Sequence, residues 1–478
     1  MEKNRTKYQS PLGTRYGKDM SYIFSDEFKF QTWRRCWVAL AESEQELGLA
    51  GVTKEHVEQL RQHIDDINYD VAEKKEEEIR HDVMSHVYAF GQQCPEAAGI
   101  LHAGATSCCI TDNTELIQIN EATKIIKKKL VNTIKKVRDF SEKYKNQPIL
   151  AFTHFQPAIP ITLGKRASSW CQDLVMDYNQ VHNLEDYRML RGLKGATGTQ
   201  ASFLELADGD EDKVKELNAR FVKKLGYNSD FLITTQTYPR KYDSIVLNVL
   251  AGIGESAHKA GTDIRLMQNR KEMEEPAEEK QVGSSAMAYK GNPMRSERMC
   301  SLAREVITNS LKPRLTSMTQ WLERTLDDSA GRRIYIPESF MATDEVLNIY
   351  MNIMERPVVY PKVIERNLNE EMPFIATENI MMDAVKRGKN RQEVHEAIRQ
   401  HSREASRRIK EEGKSNELLQ MLANDSRIGM TIEEIKNTVD VRKYIGRAPQ
   451  QVEEFLVEVD KLLKSEENLL GLKSKVEV

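Results

Sequence analysis

The stretch from Asp112 to Asn146 constrains the fold more than any other part of the chain. It contains no proline, and two series recur every seven residues: Ile119, Ile126, Thr133, Phe140 and Thr123, Leu130, Val137, Tyr144. Lysines and glutamates fill much of the rest. Such a seam predicts one long helix in a bundle with coiled-coil-like packing. At about 1.5 Å per residue the helix would span roughly 50 Å. A helix of that length needs neighbours along all of it, often in other subunits.

Other stretches follow the same periodicity. One runs from Arg240 to Arg270, with Ile245, Leu247, Val249, Leu250 and Ile253 as apolar material. Another runs from Arg295 to Leu326, entered through Asn292-Pro293, a helix-start signal. Smaller helices fill the first hundred residues, and Thr431 to Lys464 reads as helical again. Strand-like alternation is hard to find, and only 24 glycines and 14 prolines punctuate 478 residues. The expected class is all-α. Boundaries near Thr106 and Pro361 give an N-terminal helical domain (1–106), a central long-helix bundle (107–360) and a C-terminal helical domain (361–478).

Charge excludes one class of partner. The 70 basic and 73 acidic residues leave a net charge of -3, so bulk attraction to nucleic acid is not expected. A small basic pocket for an acidic metabolite stays compatible with it. No apolar run reaches membrane-spanning length, and Met1 to Ser10 is polar, without a signal core. The six cysteines have neither zinc-site nor redox-pair spacing. Reduced thiols and a cytosolic location are expected.

Several places are richer in functional groups than a bundle needs. Gly283-Ser284-Ser285 leads to Lys290 and Asn292-Pro293, directly after the acidic segment Lys271 to Lys280. Hydroxyls, backbone N–H groups and a lysine can stabilise an anion that forms during a reaction, although a Gly-Ser-Ser loop also serves as a plain connection. Arg80-His81-Asp82, with His86 beyond, reads either as a site or as a solvated helix start. The histidines are five apart, not the four of a helical metal pair. Gly104 to Ser107, leading to Asp112-Asn113, offers an anion site at a helix N-terminus, or simple capping by Ser107 or Asp112. His154, between Thr153 and Phe155 and beside Gln156-Pro157, is either an acid–base group or a structural histidine. Arg324 to Arg333 places arginines around Ser329, which suits a phosphate or an ordinary charged helix end. Arg15-Tyr16 adds weakly to such a pocket.

Taken together these segments resemble a known pattern. Ser284 to Asn292 is similar to the Ser-Ser-x-Met-Pro-x-Lys-x-Asn signature of the fumarase/aspartase superfamily. Ser10-Pro11-Leu12 with Arg15-Tyr16, Arg80-His81-Asp82, Thr106-Ser107, Thr153 to Pro157, Gln236-Thr237, Met294 to Arg298, Glu323 to Arg333, Pro361 to Arg366 and Ala376 to Asn379 resemble the adenylosuccinate lyase family within it. The likeness covers nearly the whole chain. It implies an all-α homotetramer whose central helices form one core and whose active sites draw on three subunits. It also implies two substrates without cofactor or metal: adenylosuccinate, cleaved to AMP and fumarate, and the succinylated ribotide SAICAR, cleaved to AICAR and fumarate. By the same resemblance Ser284 is the general base and His154 the general acid. His81 orients substrate, with Arg80 and Asp82 beside it. Thr106, Ser107, Gln236, Lys290 and Asn292 hold the succinyl carboxylates. Arg15, Tyr16, Arg298, Arg324, Ser329 and Arg333 contact the nucleotide, chiefly its phosphate. Glu272 to Glu279 would belong to a mobile lid. Two positions depart from the pattern: Ala288 replaces the signature proline, and Gly291 stands where close relatives often carry a basic residue. Both predict a looser loop. The alternatives are another lyase of the superfamily or a catalytically silent helical scaffold.

Overall fold

The computed structural model describes residues 6–278, 281–282, 284–287 and 289–474. The long helix is there, as Ser107–Lys143, 37 residues. Ile119, Ile126, Thr133 and Phe140 are all buried, as are Leu130 and Val137 of the second series. Thr123 is half-buried, and Tyr144 sits just past the helix end. Leu116, Ala122, Val131 and Ile134 are buried too, so the helix is covered on more than its seam. Its neighbours are Asp26–Leu47, Leu163–Asn183 and Asp328–Glu355. Lys241–Asn269 lies along Met294–Asn309, which packs in turn on Asp328–Glu355.

One apolar core runs from Trp33 and Trp37 through the bundle to Val452, Leu456 and Val459 of the last long helix, Ala448–Ser465. The helices before residue 106 therefore share the bundle's core, and the last long helix returns to it. A second, smaller core gathers Ile380, Val394, Ala397, Leu418 and Ile435. The chain beyond that last helix crosses the long one: Asn132 Nδ2 donates to the Leu469 carbonyl (2.8 Å), and Leu472 N–H donates back to Asn132 Oδ1 (3.0 Å).

Two expected helices are broken. Arg295 to Leu326 becomes Met294–Asn309 and Lys312–Met318, followed by non-helical chain up to Asp328. Pro313 has no N–H for an unbroken helix and sits instead in the first turn of the second piece. Thr431 to Lys464 becomes Ile432–Thr438, a short turn and Ala448–Ser465; Gly446 at φ +54° and Pro449 mark the break. Strands do occur. Pro148–Thr153 and Gln156–Thr162 form an antiparallel hairpin, and Met273–Glu274 pairs with Val358–Val359.

One buried acid predicts a pH-dependent stability. Glu44 is 1% exposed, and neither carboxylate oxygen has a hydrogen-bond partner. Burial pushes its carboxyl up to about 8, from 4.5. With the folded value raised, its favourable contribution is complete below pH 4.5 and is lost as pH rises towards 8. At pH 7 the cost is on the order of 3 kcal/mol relative to a group that does not titrate. A Glu44→Gln variant is expected to gain thermal stability over wild type as pH rises from 5 to 8. A difference in melting temperature that stays flat over that range would remove Glu44 as the cause.

Candidate active site

The long helix begins in a strained turn. Gly104 has φ +62°, and a Cβ there would stand 2.9 Å from the Phe203 ring, so only glycine fits. Thr106 occupies the cap position and makes no side-chain cap hydrogen bond. Neither expected cap serves: Ser107 is already inside the helix, and Asp112 is buried in its second turn. No side chain at the cap position takes the first-turn amides; the Cys109 N–H turns back to the Thr106 carbonyl (2.8 Å), and the earlier ones point where an anion would be held.

Other sequence-identified residues collect here. His81 caps its own helix, Asp82–Gln93, by accepting the Met84 N–H at Nδ1 (3.3 Å), as the helix-start reading expects. With Nδ1 an acceptor, the neutral ring carries its proton on Nε2, which lies 3.4 Å from Ser107 Oγ. Asp82 pairs with Arg333 at 3.4 Å. Arg80 is exposed in a left-handed conformation just before His81. Gln236 is tied to the same place by its N–H to the Glu323 carbonyl (3.2 Å), beside Arg324. Ser329 lies in the first turn of Asp328–Glu355, half-buried. His86 takes no part: it stacks on Phe30 at 3.9 Å, and burial pushes its ring down to about 4. Among the described residues, no group of three or more His, Cys, Asp and Glu could hold a metal.

A buried ionic scaffold backs this cluster. Arg240 donates twice to Asp112 (3.1 Å each) and once to Asp328 (2.7 Å), and Arg324 reaches the same Asp328 oxygen at 3.3 Å. Burial alone would push the Asp112 carboxyl up; Arg240, Arg332 and Arg191 more than offset it and hold it below the usual range. Asp112 also accepts the Tyr238 N–H (2.8 Å), and buried Arg191 donates to the Thr235 carbonyl (3.3 Å). The loop carrying Gln236 is thus pinned on both sides. Sequence reading gave Arg191, Arg240 and Asp328 no role of their own and left Asp112 between a helix cap and part of an anion site.

The remaining candidates lie elsewhere. Arg298 and Arg15 both stand near the Tyr16 ring, at 5.4 Å and 5.8 Å from its centroid. Ser284 is half-buried, and its Oγ accepts the N–H groups of Ala286 (3.3 Å) and Met287 (3.2 Å). Lys290 is exposed, Asn292 half-buried, and Gly291 has room for a side chain. Gly283, Ala288 and Glu279 lie outside the described residues. The start of the expected lid is hydrogen-bonded to its surroundings: Glu272 accepts from Arg270 Nε (3.0 Å) and Asn367 Nδ2 (2.9 Å), and Tyr360 donates its hydroxyl to Glu274 (2.8 Å). His154 stands exposed at the hairpin tip. It and Phe155 form a two-residue turn with φ +51° and +57°. A left-handed turn of this kind normally selects Asn or Gly, so holding His and Phe there costs about 1 kcal/mol or more each.

His154 is far from the start of the long helix in its own chain. At about 1.5 Å per residue that helix measures roughly 55 Å. The chain turns directly from its end into the hairpin, whose strand recovers at most about 20 Å. His154 and Ser107 of one chain therefore stand on the order of 30 Å apart, beyond the reach of one small substrate.

Two family models match the chain: one described as "Lyase" over residues 16–308, and one described as "Adenylosuccinate lyase C-terminus" over residues 373–455. The adenylosuccinate lyase of Saccharomyces cerevisiae is 49% identical over 94% of both chains. The chain belongs to the adenylosuccinate lyase family. The Schizosaccharomyces pombe adenylosuccinate lyase is 46% identical, again over 94% of both chains. The crystal structure of the 3-carboxy-cis,cis-muconate lactonizing enzyme from Pseudomonas putida has the same fold: TM-score 0.82, 21% identity, 95% of this chain and 99% of that one. Family membership makes the chain a carbon–nitrogen lyase of the fumarase/aspartase superfamily and leaves the silent scaffold without support.

Proposed function

We propose that the chain eliminates fumarate from adenylosuccinate and from SAICAR, with Ser284 as base and His154 as acid. The 49% identity to an adenylosuccinate lyase over 94% of both chains carries this reading. The difficult step removes a proton from carbon beside a carboxylate and leaves a dianionic aci-carboxylate. Ser284 Oγ takes that proton, and His154 gives one to the departing nitrogen as the C–N bond breaks. A serine hydroxyl is a poor base unless its alkoxide is stabilised. Two backbone N–H groups already point at Ser284 Oγ, and Lys290 adds positive charge in the same loop. The start of the long helix, with Thr106, Ser107, Gln236 and His81, suits the succinyl carboxylates. Lys290 and Asn292 reach them from the loop. Arg15, Tyr16, Arg298, Arg324, Ser329 and Arg333 suit the nucleotide, with Arg80 and Asp82 alongside.

These groups sit on parts of the chain too far apart for one subunit to finish a site. A homotetramer with shared sites brings them together. Exposed apolar residues favour such assembly: Trp321 is 74% and Leu322 92% exposed, near Leu315, Met318 and Leu326. Among the described residues no helix is long and apolar enough to cross a membrane, and the substrates of this reading fit a cytosolic enzyme.

An ultraviolet assay with adenylosuccinate and SAICAR tests the activity; no release of fumarate from either by a folded tetramer would defeat it. For the nucleotide assignment, Arg324→Ala is expected to raise KM for adenylosuccinate about 10- to 100-fold, the scale of a lost charge-assisted contact. An unchanged KM would take Arg324 out of the phosphate site.

A further inference from the structure

The loop that carries Ser284 is tied shut at its base by one carboxylate. Glu275 precedes the loop, and Arg295 and Ser296 follow it in the first turn of Met294–Asn309. Glu275 Oε1 accepts the Arg295 N–H (2.8 Å); Oε2 accepts the Ser296 N–H (2.9 Å) and hydroxyl (3.1 Å). The tie is reciprocal. The Arg295 guanidinium donates back to the Pro276 carbonyl and reaches Glu278 at 3.1 Å. Arg295 is 2% exposed and Glu275 7%.

A helix start needs only one short side chain to take its free amides, usually from the residue just before it. Here the cap comes from twenty residues earlier, on the far side of the loop, and a buried carboxylate supplies it. That is costly unless the long-range link itself matters. Burial pushes the Glu275 carboxyl up, and the amide and hydroxyl donors only partly offset this. The stem before Glu275 is equally fixed: Met273–Glu274 is held in a strand pair, and Glu272 is buried against Arg270 and Asn367. Glu275 and Arg295 therefore set the two points from which Ser284 and Lys290 are hung.

We propose that Glu275 and Arg295 are positioning residues for the elimination, forming a latch that places Ser284 and Lys290 over the substrate. This rests on the reading of the Ser284 loop as catalytic. Neither residue touches substrate; both act through loop geometry, where a displacement near 1 Å can cost about 10²-fold in rate.

The test uses the full-length tetramer with adenylosuccinate. Glu275→Ala is expected to lower kcat by about 10²-fold, with KM within about threefold of wild type. Hydrogen exchange should rise across residues 284–292 and stay unchanged in Asp328–Glu355. Lys461→Ala removes an exposed ion pair with Glu458 on Ala448–Ser465, outside the loop and its stem, and should keep kcat within about twofold. Ser296→Ala removes one bond of the latch and should give a smaller loss of the same kind, which keeps the test usable if Glu275→Ala does not fold. A kcat near wild type in either latch variant, or an equal loss in Lys461→Ala, overturns the proposal. The underlying reading fails separately: full turnover by Ser284→Ala sinks the base, whereas unchanged loop exchange in Glu275→Ala sinks the latch.

Discussion

Turnover by a His154→Ala variant is expected to fall by about 10²–10⁴, the usual range for a lost general acid. Mixing it with a second inactive variant, His81→Ala, is expected to restore activity. The reason is geometric. His154 sits on the hairpin tip and His81 beside the start of the long helix, with Ser107 3.4 Å from its ring. These places are on the order of 30 Å apart in one chain, so a site that uses both has to take them from different subunits. When the two variants are dissociated, mixed in equal amounts and reassembled, half the chains carry an intact His154 and half an intact His81. Random assembly then leaves about one site in four with both, and about a quarter of wild-type activity. Each variant treated alone stays inactive. A mixture no more active than its components, in tetramers shown to have exchanged subunits, would mean that both histidines serve one site from one chain, against the separation that the 37-residue helix sets.

The same geometry explains what could be read from sequence. The long helix was legible because its seam repeats every seven residues, and Ile119, Ile126, Thr133 and Phe140 are buried as that repeat requires. The break before Lys312–Met318 was legible in principle, since Pro313 is a local signal. The hairpin was not. Pro148, Pro157 and Pro160 interrupt its strands, and His154-Phe155 has none of the usual turn chemistry despite its left-handed φ values. Ser284, Lys290, His81 and Arg324 were recognisable as motif residues. The groups that hold them were not, because they join distant positions. Arg240 meets Asp112 across 128 residues and Asp328 across 88, and Glu275 caps a helix that starts beyond the loop. No periodicity or spacing records such pairings; they exist only once the bundle has formed.

Arg332 and Arg333 show how far that distinction goes. As adjacent arginines in a phosphate-like motif they look interchangeable, but the helix turns them to opposite surroundings. Arg333 is exposed and reaches Asp82. Arg332 is buried: Nε donates to Asp243 and Nη1 to Glu115 (2.7 Å each), Nη2 meets the Tyr238 hydroxyl, and the guanidinium lies 5.2 Å from the Tyr238 ring centroid. Removing one partner of a buried ion pair strands the other, typically at about 3–5 kcal/mol, whereas an exposed pair contributes about 0–1 kcal/mol. Arg332→Met is therefore expected to destabilise the protein by about 3–5 kcal/mol in urea unfolding at fixed protein concentration. Arg333→Ala should leave the urea midpoint nearly unchanged and raise KM for adenylosuccinate instead, by about tenfold or more. Asp243 keeps the Tyr238 hydroxyl (2.6 Å) after the Arg332 change, which makes the lower end of the stability range the better expectation. If both variants lose stability equally, or neither does, burial does not separate the two arginines. If Arg332→Met alone loses stability and Arg333→Ala alone loses affinity, neighbouring charges of one motif divide between holding the fold and holding the substrate.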